Sequence, residues 1–237
     1  NCRELCQVSL SDNNMKENQH CLLNKGVERS DKQSFLSCIA DFYNDVANPM
    51  VESKATPLSI TPNITIKQLK DIIIKQMTLD DFITLQNGEL VTIFAGDNIQ
   101  DIDIDEFNKT HLFKSLKKGR PRLGGEKNEI YLQRVISAFI NFGKFIFSDD
   151  ITIDYKYLWD YICKPRGKTG GGLFEDGINL IILRSPDDDV TSKIELICPT
   201  NHYSKEVYDM NKKTIFLYTK NGLFELIYKY TKIKKRL

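Results

Sequence analysis

Several segments of this chain carry residue types that could do chemistry, and each can be held against the spacing its chemistry requires. Cys198 and His202 have the separation of two zinc ligands, but a tetrahedral site needs two more, and only Cys2 with Cys6 or His20 with Cys21 are on offer. Asp101, Asp103 and Asp105 place carboxylates at alternate positions, as calcium loops do. The sixth loop position is Glu106 where a glycine is required, and the twelfth is Leu112 where a bidentate glutamate belongs, so a solvated acidic loop is predicted. Gly167-Lys168-Thr169 ends like a phosphate loop, yet the earlier glycine position is Ile162, and the segment follows a helical pattern and leads to a strand. A phosphate loop needs the opposite order. Cys38 with His202 could form a thiol–imidazole dyad. Cys38, however, falls inside an apolar helical pattern, where a thiol behaves as a small hydrophobe. None of these segments implies a cofactor or a metal.

The elements that must position such residues change character along the chain. Phe35, Ile39, Phe42, Tyr43 and Val46 recur at helical spacing from Ser34 to Ala47, and Asn48-Pro49 ends that helix. Thr65 is placed to cap a second helix bearing Leu69, Ile72, Ile73 and Met77, and Thr78 to cap a short third one bearing Phe82 and Leu85. Glu126 to Phe147 and Tyr155 to Cys163 read as further amphipathic helices. Beyond the glycines 170 to 172 the pattern becomes extended: Ile178 to Leu183, Ile194 to Ile197, Thr214 to Tyr218 and Leu223 to Tyr230 are short runs rich in isoleucine and aromatics. Asn221-Gly222 between the last two tolerates the positive φ angles of a tight hairpin. Helices followed by strands predict an α+β fold, with helices packed on a small, largely antiparallel C-terminal sheet. The expected organisation is a polar flank over 1–30, a domain over 31–230 and a basic tail over 231–237.

With 33 basic against 32 acidic residues, the net charge of +1 provides no global field for nucleic acid or an anionic membrane. Local basic runs, Lys114 to Arg122 and Lys229 to Arg236, are the places where nucleic acid could still bind. No apolar run approaches the ~20 residues of a membrane-spanning helix, and Asn1-Cys2-Arg3-Glu4 resembles no signal peptide. An intracellular protein, or a domain cut from a longer one, is expected. The six cysteines are scattered over a chain long enough to build a core, so free thiols are expected.

The segment Asp31-Lys32-Gln33-Ser34-Phe35-Leu36-Ser37-Cys38-Ile39-Ala40-Asp41 resembles the signature of OTU cysteine proteases, Asp-Gly-Asn-Cys followed by Leu-Phe-Arg and Ala-Ile-Ala-Asp. In that register Asp31 falls on the family's aspartate and Ser34 on its nucleophilic cysteine. Lys32 and Gln33 replace the Gly-Asn whose backbone helps form the oxyanion hole. The strand, turn and strand from Thr214 to Ile227 are similar to the family's closing hairpin, which places Leu223 where the catalytic histidine belongs. Gly26-Val27-Glu28 before the Ser-Phe-Leu helix, and Cys198-Pro199-Thr200-Asn201 before the hairpin, resemble segments of long proteins of large nucleocytoplasmic DNA viruses.

The resemblance implies an OTU-like fold of the papain-like superfamily whose degenerate catalytic positions, Asp31, Ser34 and Leu223, cannot support proteolysis. A cysteine protease needs a thiolate made by a neighbouring base, and Leu223 accepts no proton. Ser34 is then expected to cap its helix through its hydroxyl, and Leu223 to face it across the former cleft. The implied function is a pseudo-protease binding or scaffolding module with a protein partner, in the first place a ubiquitin-like one, inside a viral polypeptide of the host cytoplasm or virion.

Overall fold

The structure is a computed structural model, and it describes residues 20–25, 27–47, 64–96, 103–118, 127–167, 171–186, 193–198 and 208–231. The described elements run β1 (His20–Lys25), α1 (Ser34–Ala47), α2 (Ile66–Gln76), α3 (Leu79–Phe82), α4 (Glu89–Phe94), α5 (His111–Lys117), α6 (Asn128–Phe147), α7 (Tyr155–Cys163), β2 (Ile178–Arg184), β3 (Glu195–Ile197), β4 (Lys213–Lys220) and β5 (Leu223–Thr231). Short 3₁₀ turns occupy Leu85–Gly88 and Ile104–Phe107. This is the α+β class that the order of periodicities predicts.

Local sequence accounts for most helix starts. Thr65 and Gln68 form a reciprocal capping box on α2, with Gln68 N–H donating to the threonine oxygen and Thr65 N–H to Gln68 Oε1. Thr78 and Asp81 do the same for α3. The cap of α5 is partly tertiary, because the carboxylate of Asp80 in α3 accepts from His111 N–H and Leu112 N–H at 2.8 and 2.9 Å. Among the helices, Phe82, Phe94, Phe139, Phe142, Phe145 and Tyr157 join α3, α4, α6 and α7 through ring contacts of 4.9–5.9 Å.

The five-stranded sheet has the order β1-β5-β4-β2-β3. Three pairings are antiparallel, and β2 with β4 is parallel at its centre. The β4–β5 hairpin closes through Asn221 (φ 52°) and Gly222 (φ 74°), the positive angles that Asn-Gly was expected to supply. One face of the sheet, bearing Leu180, Ile182, Ile215, Leu217, Phe224 and Leu226, shares a single core with the helices.

Three expected boundaries need correction. His20–Lys25 is not flank but the edge strand of the sheet, paired with β5 from His20 opposite Thr231 to Lys25 opposite Leu226. Thr231 correspondingly belongs to β5 and not to a tail. The long helix begins at Asn128, two residues later than its periodicity suggests. Among the described residues no helix is long and apolar enough to cross a membrane.

Candidate functional site

The N-terminus of α1 is built by its own preceding turn. Gln33 provides the first helical carbonyl, accepting from Ser37 N–H at 3.0 Å, while Gln33 N–H donates to Ser30 Oγ at 3.0 Å. The Gln33 side chain is buried and donates through Nε2 to the carbonyl of Ser148 at 2.7 Å. Lys70 of α2 donates to the same carbonyl at 3.0 Å and to Asp149 at 2.8 Å. Ile153 N–H donates to the carbonyl of Lys32 at 3.3 Å. The loop after α6 is therefore fastened across the start of α1 by backbone and side-chain bonds together.

Ser34 opens α1, and its hydroxyl accepts the backbone N–H of Phe224 at 3.0 Å in a buried hydrogen bond. This corrects the expectation that Ser34 caps its own helix: the oxygen instead satisfies a donor at the start of β5. The Phe224 ring is buried and meets Phe35 edge-on at 5.4 Å and Tyr155 at 6.3 Å. Leu223 begins β5, as its register requires, but it is 44% exposed. Successive strand side chains alternate in direction, so a buried Phe224 turns Leu223 away from Ser34. The apolar group that closes this point is Phe224. Asp31 is exposed in the turn ahead of the helix.

Cys38 lies one turn further along α1 with no exposed surface. Burial, then the charges of Asp41 and Glu225, push its thiol up to about 12. His202 lies outside the described residues, so its side of the dyad has no described position. Cys163 is likewise pushed up to about 12 by burial. The same face of α1 carries a feature that sequence reading missed. Tyr228 Oη on β5 lies 2.8 Å from Asp41 Oδ2 and 2.6 Å from Asp45 Oδ2, and burial followed by these two contacts raises its phenol far above the ordinary value. The available signal was the four-residue spacing of the two aspartates, which puts both on one helical face.

The other sequence candidates lie only partly within the described residues. Asp103 accepts from Asp105 N–H and so caps a 3₁₀ turn, while Asp101 lies outside the described residues. Gly167 follows α7, with Lys168 and Thr169 outside the described residues, and the neighbouring Arg166 guanidinium donates to the carbonyls of Gly172 and Leu173. Of the basic runs, Lys114, Lys117, Lys118 and Lys229 are described, and Lys117 rests over the Phe113 ring at 4.8 Å. Cys198 is described but its prospective partners Cys2, Cys6 and His202 are not. Among the described residues no group of three or more His, Cys, Asp or Glu could hold a metal ion.

Compared with protein-family models, with curated proteins and with solved structures, the chain matches none.

Proposed function

We propose that this chain is a non-catalytic protein-binding or scaffolding domain on an OTU-like fold, part of a larger viral polypeptide, whose former catalytic point has become a structural joint. The observation that carries the reading is the hydroxyl of Ser34, buried and engaged as acceptor for Phe224 N–H where the resemblance would place a nucleophile. Two further features support it. Gln33 N–H, which belongs to the expected oxyanion region, is engaged by Ser30 Oγ. Cys38, the nearest alternative nucleophile, is held protonated by burial, and a thiolate is the reactive form. Folds outlive their chemistry because the packing that holds a helix start against a hairpin does not depend on the side chains that react.

The partner implied by the resemblance is a ubiquitin-like protein. An electrophilic ubiquitin probe should leave the purified chain unlabelled, while unmodified ubiquitin titrated against it should give a saturable binding isotherm. Covalent labelling that disappears in Cys38→Ala would establish a thiol protease instead and overturn the non-catalytic reading. Absence of binding would remove ubiquitin as the partner.

A further inference from the structure

We propose that the sheet face turned away from the helices is the interface of a weak, two-fold symmetric homodimer. The strand registers place Leu196, Leu183, Ile181, Phe216, Ile227 and Leu22 on this face, spread over all five strands. Leu196 is 65% exposed, Leu22 59% and Phe216 41%. Large apolar groups gathered on one surface of a sheet mark an interaction site, unlike apolar residues scattered singly. The central β2–β4 pair is parallel, and parallel strands are normally covered on both faces. β2 reads Ile-Asn-Leu-Ile-Ile-Leu-Arg, apolar towards both sides, as a doubly covered strand does.

The charge pattern selects a second copy as the cover. On β5 the outward residues include Glu225, Ile227 and Lys229, in that order after Leu223, with Ile227 beside Phe216 of β4. A two-fold axis lying between two facing sheets, perpendicular to the strands and passing over Ile227, reverses the strand direction in the copy. Ile227 and Phe216 then meet their own equivalents, and each Glu225 meets a Lys229. The turn 208–212 follows the same symmetry. It is tied to the outward side of β2 by Asn179, whose Nδ2 donates to Asp209 O at 2.8 Å and whose Oδ1 accepts Asp209 N–H at 3.0 Å. It presents Met210, 88% exposed, at one end of the face, so that in the dimer each turn flanks the end of the copy near Leu183 and Tyr218.

Five strands about 4.8 Å apart, each rising roughly 3.3 Å per residue over about seven residues, make a face of roughly 550 Å² per copy. Two copies would bury about 1,100 Å², the size of a weak, dissociable interface. The proposal rests on this face alone, and its failure leaves the reading of Ser34 untouched, because these side chains point away from that residue.

Sedimentation velocity of the full chain from about 1 to about 500 µM should show a monomer passing into a dimer as concentration rises. Phe216→Glu should raise the dissociation constant about 30-fold or more, with an unchanged circular dichroism spectrum. Leu196→Glu, at a more exposed edge position, serves if that variant fails to fold. Glu225→Lys and Lys229→Glu should each weaken the dimer about fivefold, and the two together should restore it. A monomer at every concentration, or a dimer indifferent to both apolar variants, overturns the proposal; single charge variants that the double variant does not rescue overturn the symmetry axis.

Discussion

Lys70 and Asp149 form an ion pair of 2.8 Å whose two ends lie in different media, the lysine side chain 2% exposed and the aspartate side chain 92%. The ammonium needs acceptors because it is buried, and it finds them in the carbonyl of Ser148 and in this carboxylate. The aspartate needs nothing, since water already surrounds it. The pair therefore matters as a way of satisfying the lysine, which in turn holds the loop over the start of α1.

The first prediction concerns pH. The hydrogen bond from Lys70, then its charge, hold the Asp149 carboxyl below the ordinary carboxylate value. A carboxyl depressed in the folded state contributes stability that is present above its unfolded pKa and is lost as pH falls through the folded one. Asp149→Asn should therefore lower the urea midpoint at pH 7, and the gap from the native sequence should shrink as the pH drops below about 4. A gap that is constant with pH would mean that the Ser148 carbonyl alone satisfies Lys70.

The second prediction separates Phe224 from Leu223. Ser34→Ala strands the buried Phe224 N–H and should cost about 1–3 kcal/mol. Phe224→Ala should cost about 3–5 kcal/mol by emptying the space between Phe35 and Tyr155. Leu223→Ala, at an exposed position, should stay within about 0.5 kcal/mol. Chemical denaturation of the three variants reads this order, and a Leu223 effect larger than that of Phe224 would reverse the assignment of faces. For the same reason Ser34→Cys with Leu223→His should not create a working dyad, since the new imidazole would point away from the sulfur.

The third prediction concerns the crossing of backbone at the end of α7. A Cβ on Gly172 would stand 1.9 Å from the carbonyl oxygen of Lys164, whereas one on Gly167 would meet nothing within 4 Å. Gly172→Ala must displace main chain and should lower the melting temperature by roughly 4–10 °C, following a loss of about 2–3 kcal/mol. Gly167→Ala bears only the strain of its left-handed backbone, about 1–2 kcal/mol. Equal melting temperatures for the two would show that the 164–172 segment yields freely.

What the sequence made legible follows from how local each determinant is. The helices α1 and α7 are written in apolar spacing, and the β4–β5 turn in Asn221-Gly222. β1 escaped notice because an edge strand in a polar segment is defined by the free side of β5, a partner far away in sequence. α5 was missed because it is short and Asp80 of another helix supplies part of its cap. At the candidate site the register located the meeting of α1 with β5 but misjudged which side chain faces inward: the first residue after a tight turn gives no indication of its face until the pairing of Thr219 with Phe224 is known. The engagement of Ser34 was hidden likewise, since its donor lies 190 residues away.

The pairing of β1 with β5 also bears on the order in which the chain can assemble. A strand near the start of the described chain is joined in the sheet only to the last one, and the buried oxygen of Ser34 has its donor in that same last strand. Contacts of such long separation close late and slowly, because a large loop must be ordered before any of them forms. While the polypeptide is being synthesised, β1 and the side of α1 that meets β5 must wait uncovered until β5 leaves the ribosome, and that side of α1 stays within reach of chaperones throughout the interval.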